Sequence, residues 1–246
     1  DGTRFLFDET PDAGGLNPTL YIRGTDGSPP VRLGEGGAVA ISPDGNWALS
    51  LLLHPGQLVL VPAKAGESRP LPRDALDYQF TGAFLPDGKG VVYMANEKGS
   101  APKLYFQDLA GGKPRAFSPE GMSPGPVPVS PDGKLVAARG ADRKLHLYPV
   151  DGGEVRSVPG AEDGDWPSRF AADGRSLFVY RRGEIPCRLF RLDLATERRT
   201  IVKALKPADA AGTIAIPRVL VTPDARAYVY SVFSVLSDLY LAEGLR

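Results

Sequence analysis

The 246-residue chain has one cysteine and two histidines, and its 29 basic side chains are matched by 29 acidic ones. A lone Cys187 excludes an internal disulfide framework. One Cys and two His leave almost no material for a metal centre of those ligands, and no cofactor is implied. With zero net charge there is no basic field to draw in nucleic acid or anionic lipid, so no nucleic-acid partner is expected. No apolar run reaches the roughly 18 residues of a membrane span, and the first thirty residues lack the basic-then-apolar pattern of a signal peptide. Catalytic signatures are missing too. There is no Gly-x-Ser-x-Gly elbow, Gly-rich nucleotide loop, His-Arg-Asp loop or Asp-Phe-Gly triplet.

Abundant instead are glycine, at 29, and proline, at 24, spread at regular intervals as many turns require. "SPDGKLVAARG" from Ser130 has near-copies in "SPDGNWALS" from Ser42, "LPDGKGVVYM" from Leu85, "AADGRSLFVY" from Ala171 and "TPDARAYVY" from Thr222, and the chain opens on "DGTRFLF". The turn aspartates are Asp1, Asp44, Asp87, Asp132, Asp173 and Asp224, spaced by 43, 43, 45, 41 and 51 residues. That period is the range of four-stranded propeller blades. In each copy Pro presets φ, Asp accepts from nearby backbone N–H groups, and Gly takes the left-handed conformation that closes a hairpin. Ala225 replaces that Gly in the last copy, which predicts a strained or differently shaped turn.

An inner strand precedes each turn, as at Ala38–Ile41, and a second follows it, as at Trp47–Leu53. A third carries a triplet such as Leu58-Val59-Leu60, Leu104-Tyr105-Phe106, Leu145-His146-Leu147, Leu189-Phe190-Arg191 or Leu239-Tyr240-Leu241, and a short outer strand ends the unit. Nearly continuous apolar runs in the middle strands predict sheets buried on both faces. The expected fold is an all-β, six-bladed propeller of four-stranded antiparallel blades in one domain. Its blades fall at about 1–35, 36–76, 77–120, 121–160, 161–211 and 212–246, the first and last incomplete. Opening inside a turn motif, the chain is expected to take its missing strands from upstream residues.

Propellers bind on the face where the inner strands begin. Loops expected there offer Tyr78, Phe80 and Trp166 as aromatic surface and Arg143, Asp165, Arg181 and Arg182 as charge, a set suited to a protein or a small-molecule ligand. His146 reads as a packed core residue, His54 as a solvated loop residue and Cys187 as buried packing. The carboxylates of "AEDGDW", Ala161 to Trp166, offer a cation ligands but not at calcium-loop spacing.

The repeated turn, with "LYFQDLAGGKPR" at Leu104–Arg115, resembles the WD-like propeller of the TolB family over nearly the whole chain. The tail "YVYSVFSVLSDLYLAEGLR" from Tyr228, with "GTDGSPPVRLGEG" and "YRRGEIPCRLFRLDLATERR", resembles the end of bacterial membrane-anchored serine/threonine protein kinases. This resemblance implies an upstream kinase domain and membrane helix, with a non-catalytic sensor or docking propeller outside the cytoplasm. Contact with a membrane would come only through that upstream segment. The alternatives are a free-standing, TolB-like periplasmic scaffold that binds proteins through its loops, and an accessory propeller of a hydrolase.

Overall fold

The computed structural model describes residues 2–10 and 15–235, with side chains except those of Gln79 and Phe80. Its regular elements are strands, and no helix occurs among the described residues. The first sheet holds β1 (Arg4–Glu9), β2 (Thr19–Gly24) and β3 (Val31–Glu35). The second holds β4 (Gly37–Ile41), β5 (Trp47–Leu52), β6 (Gln57–Pro62) and β7 (Arg69–Pro70). The third holds β8 (Leu76–Phe84), β9 (Gly90–Glu97), β10 (Lys103–Asp108) and β11 (Arg115–Ala116). In the fourth are β12 (Leu135–Arg139), β13 (Leu145–Pro149) and β14 (Arg156–Ser157); in the fifth, β15 (Asp165–Phe170), β16 (Ser176–Arg181), β17 (Cys187–Asp193) and β18 (Arg199–Leu205). Two short ladders follow: β19 (Thr213–Ala215) pairs with β22 (Phe233–Ser234), and β20 (Val219–Val221) with β21 (Tyr228–Tyr230). All pairings are antiparallel, and within each of the five larger sheets sequence neighbours pair.

The all-β propeller is present, but six blades of four strands is corrected on two counts. Among the described residues five sheets, not six, reach three or more strands; the first has three, as expected of an incomplete blade, and the fourth has three where four were expected. In the fourth, Pro124, Pro126 and Pro128 remove N–H donors from the inner segment, which keeps one bridge, Val129 to Val136. The sixth repeat supplies a hairpin split at Ile216-Pro217-Arg218, where Pro217 has no N–H to donate. The triplet Leu239-Tyr240-Leu241 lies outside the described residues.

The turn chemistry is as read. At Ser42 the backbone N–H donates to the Trp47 carbonyl, and the Gly45 N–H donates to the Ser42 carbonyl, both at 2.8 Å. The Ser42 hydroxyl and the Asn46 N–H both donate to Asp44 Oδ1, and these bonds hold the Asp44 carboxyl down at about 2. Gly45 has φ of 69°, and Ala225 takes the same left-handed conformation at 58°. The last turn therefore keeps the common shape, at the steric cost of a Cβ. Ala225→Gly is expected to raise stability by roughly 0.5–1 kcal/mol, read as a higher urea midpoint at unchanged slope. A lower midpoint would mean that the Ala225 methyl, packed on its apolar neighbours, outweighs the backbone relief.

Five apolar clusters sit at the five boundaries between successive modules. Leu20 of β2 meets Ala48, Val59 and Val61 of the second sheet. Leu49, Leu51, Leu58 and Leu60 meet Val91, Tyr93 and Tyr105. Val92, Met94 and Leu104 meet Val127, Val136, Ala138 and Tyr148. Ala137, Leu145 and Leu147 meet Phe170, Leu177, Val179 and Leu192. Phe178, Tyr180, Cys187 and Leu189 meet Ile216, Val219 and Val221. Alternate residues of one strand thus serve opposite boundaries, Val91 and Tyr93 one way and Val92 and Met94 the other. That two-sided burial is why the middle strands read as unbroken apolar runs.

Successive turns also stand side by side. A Cβ on Gly88, Gly133 or Gly174 would lie 4.0, 3.4 or 3.6 Å from the ring of Pro43, Pro86 or Pro131 in the preceding turn. Gly2 lies against the Thr222 side chain, so the last turn neighbours the first.

Candidate functional site

The face opposite these turns is built where blades four and five meet. Trp166 opens the inner strand β15, and its indole lies on the backbone of Gly125, where even a Cβ would clash. Gly125 is itself tied to the third blade, its carbonyl accepting from the Thr81 hydroxyl at 2.6 Å. Two guanidinium groups stack on the indole: Arg139, at the end of β12, lies 4.4 Å from the ring centroid, and Arg182, just past β16, lies 5.0 Å away. Arg143 adds a third cation. Its backbone is left-handed, with φ of 62°, and its carbonyl accepts from Arg139 Nε at 2.9 Å. Burial first, and then the Arg143 and Arg182 charges, make Arg139 easier to deprotonate than an ordinary arginine.

Asp165, one residue away, is of a different kind. Its carboxylate is fully buried and accepts from Arg181 Nε at 2.9 Å and from the Arg199 guanidinium at 2.6 and 3.0 Å. The Glu162 N–H adds a bond at 2.9 Å. Burial alone would raise this carboxyl, but the Arg199, Glu162 and Arg181 bonds outweigh it and hold it below the usual carboxylate range. Glu162 also pairs with Arg181. Two of the three carboxylates of the "AEDGDW" loop, Glu162 and Asp165, are thus paired with guanidinium groups. Among the described residues no three His, Cys, Asp or Glu side chains converge as metal ligands would.

The sequence-named residues therefore divide. Trp166, Arg143 and Arg182 come together with Arg139, while Asp165 and Arg181 belong to the buried network beneath. Tyr78 sits at another boundary, half-buried and edge-on to Tyr93 at 5.2 Å, with burial raising its phenol. Phe80 lies in β8, but its side chain is outside the described residues. Sequence reading does not single out Arg139 or Arg199, because partners 27 and 34 positions from Trp166 and Asp165 leave no spacing signal.

His146 is half-buried and not fully in the core: in the middle column of the triplets Tyr21, His146 and Phe190 are partly covered, where Val59 and Tyr105 are buried. Its Nε2 lies 3.0 Å from both carboxylate oxygens of Asp142. His54 is exposed, its backbone clamped by Asn17. Cys187 is buried, with its thiol donating to the Arg181 carbonyl at 3.2 Å, and burial pushes the thiol up to about 11. It should stay unreacted for hours with a thiol reagent at pH 8 and react at once in denaturant; fast native labelling would contradict this burial.

Blade-like sheets stacked through their faces define a β-propeller, and the aromatic-cationic cluster lies on the face opposite its turns. No protein-family model and no curated protein matches the chain. Among solved structures, TolB from Acinetobacter baumannii is similar at a TM-score of 0.71 and 18% identity, over 94% of this chain and 61% of that one. This chain therefore spans about three fifths of that protein's length. A protein described as TolB from Agrobacterium tumefaciens gives 0.60 at 15% identity, covering 88% of this chain and 87% of that one. An oligogalacturonate lyase in complex with manganese gives 0.61 at 16% identity, over 91% of this chain and 66% of the lyase. At these identities the likeness is one of fold.

Proposed function

We propose that this chain is a non-catalytic propeller that binds a partner protein through the face around Trp166. The observation that carries the reading is the Arg139–Trp166–Arg182 stack, held on Gly125 between two blades. Stacked aromatic and arginine groups are the side chains that dominate binding energy at protein interfaces. One of the similar structures is an enzyme by name, so the non-catalytic reading rests on side chains, not on fold. Next to Trp166, Asp165 and Glu162 are ion-paired with arginines, and Cys187 lies buried as a neutral thiol.

On this reading the split hairpin of the sixth repeat is the inner pair of a sixth blade, supported by Gly2 lying against Thr222. The propeller works outside the cytoplasm as the sensor or docking part of a membrane-anchored serine/threonine protein kinase, for which the Tyr228–Arg246 tail is the support. A free-standing TolB-like scaffold is the second reading, favoured by the structural likeness. An antibody against the propeller separates them: the first predicts a membrane-bound polypeptide more than twice this chain's 26.2 kDa, the second a soluble envelope protein. For the site itself, Trp166→Ala should reduce partner capture from envelope extract at least tenfold while leaving the melting temperature within a few degrees. Undiminished capture would remove the site.

A further inference from the structure

Resting on the binding reading above, we infer that the Trp166 face takes an acidic polypeptide segment, its carboxylates gripped by Arg139, Arg143 and Arg182. The arginines of this neighbourhood fall into two sets. Arg181, Arg188 and Arg199 are each paired with Asp165, Glu162 or Glu184. Arg139, Arg143 and Arg182 have no carboxylate within ion-pair distance among the described residues, although Asp163 and Asp165 are near enough to Arg139 to act through space. Two guanidinium groups share one indole, and Arg143 acts on Arg139 through space; like charges are kept together at a cost that an incoming anion would remove.

The geometry selects the kind of anion. A guanidinium laid on an indole has its face occupied and turns its N–H edge outward. Arg182 has no protein partner there among the described residues, and Arg139, whose Nε donates to the Arg143 carbonyl, keeps its two terminal NH2 groups. Such an edge matches a planar carboxylate with two parallel bonds. The cations are also spread over two blades. Arg139 and Arg143 come from the end of β12 and the loop after it, and Arg182 from the loop after β16. Two open hollows lie elsewhere, one beside the turns at Asp173 and Asp224 and one beside Asp142 and His146. An open basic surface with an aromatic floor suits an extended chain carrying several carboxylates better than an enclosed small molecule. With charges balanced over the whole chain, the attraction is local and short-ranged, so it should weaken with salt.

The test uses the two tryptophans. Trp47→Phe leaves Trp166 as the sole indole reporter, and titration with hexaglutamate should then change its emission saturably, with the same binding constant by calorimetry on the unmodified chain. Arg182→Gln should weaken binding about tenfold and Arg182→Glu should abolish it, with folding intact because Arg182 makes no ion pair. Raising salt from 50 to 300 mM should weaken it further. If inorganic polyphosphate binds and hexaglutamate does not, the carboxylate assignment is wrong. If neither changes the signal, or if Arg182→Glu binds hexaglutamate normally, the inference fails. Capture of an envelope protein that still depends on Trp166 would then leave the broader binding reading standing without it.

Discussion

Asp165→Asn is expected to lower the free energy of unfolding by about 3 kcal/mol, because removing one partner of a buried ion pair strands the other. Two arginines converge on that carboxylate, Arg181 from the neighbouring strand and Arg199 from the outer strand β18. Asparagine matches the shape but offers one acceptor oxygen, and its amide group would point donors at donors. The charge has a pH signature as well. The folded-state carboxyl titrates below its unfolded value, so its contribution is fully present above about pH 4 and is lost as pH falls through the folded value. Wild type should therefore lose stability in acid more steeply than Asp165→Asn, and the two urea midpoints should approach each other below pH 4. Parallel curves across that range would show that Asp165 is not the ionised hub of this network.

Leu104→Ala is the second large effect, at roughly 3 kcal/mol from lost transfer energy and the cavity left behind. Leu104 is fully buried in the cluster joining blades three and four, with Val92, Met94, Val136 and Tyr148. The comparison that makes the result informative is Leu16→Ala. Leu16 is 70% exposed, and its truncation should stay within about 0.5 kcal/mol. If Leu104→Ala cost as little, packing between blades would not be what holds the molecule together. Chemical denaturation by fluorescence and by circular dichroism decides it, and coincident transitions would show that adjoining blades melt together.

Much of this architecture is legible in the sequence because the information is local. Ser42, Asp44 and Gly45 bond within five residues, so the turn can be derived from neighbours alone. A strand buried on both faces announces itself as an unbroken apolar run, as from Val91 to Ala95. The misses arise where contacts are distant. Asp165 reads as a rim charge because nothing in its vicinity foretells Arg199 reaching it from 34 residues on. His146 shares a column with Tyr105, yet Asp142, four residues back, holds it at the edge while Tyr105 is buried. The proline run from Pro124 is visible in the sequence, but it shortens the fourth blade only because those prolines fall where an inner strand must donate. The cationic stack around Trp166 needed two blades to be placed side by side before Arg139 could be assigned to it.

Every ladder of backbone hydrogen bonds in the five larger sheets begins and ends within one repeat, and adjoining repeats meet through side chains and a few bonds to carbonyls, such as Ser168 to Val219 and Tyr180 to Pro217. Duplicating or deleting one 43-residue unit in the course of descent would therefore alter the circumference of the molecule and sever no strand pairing.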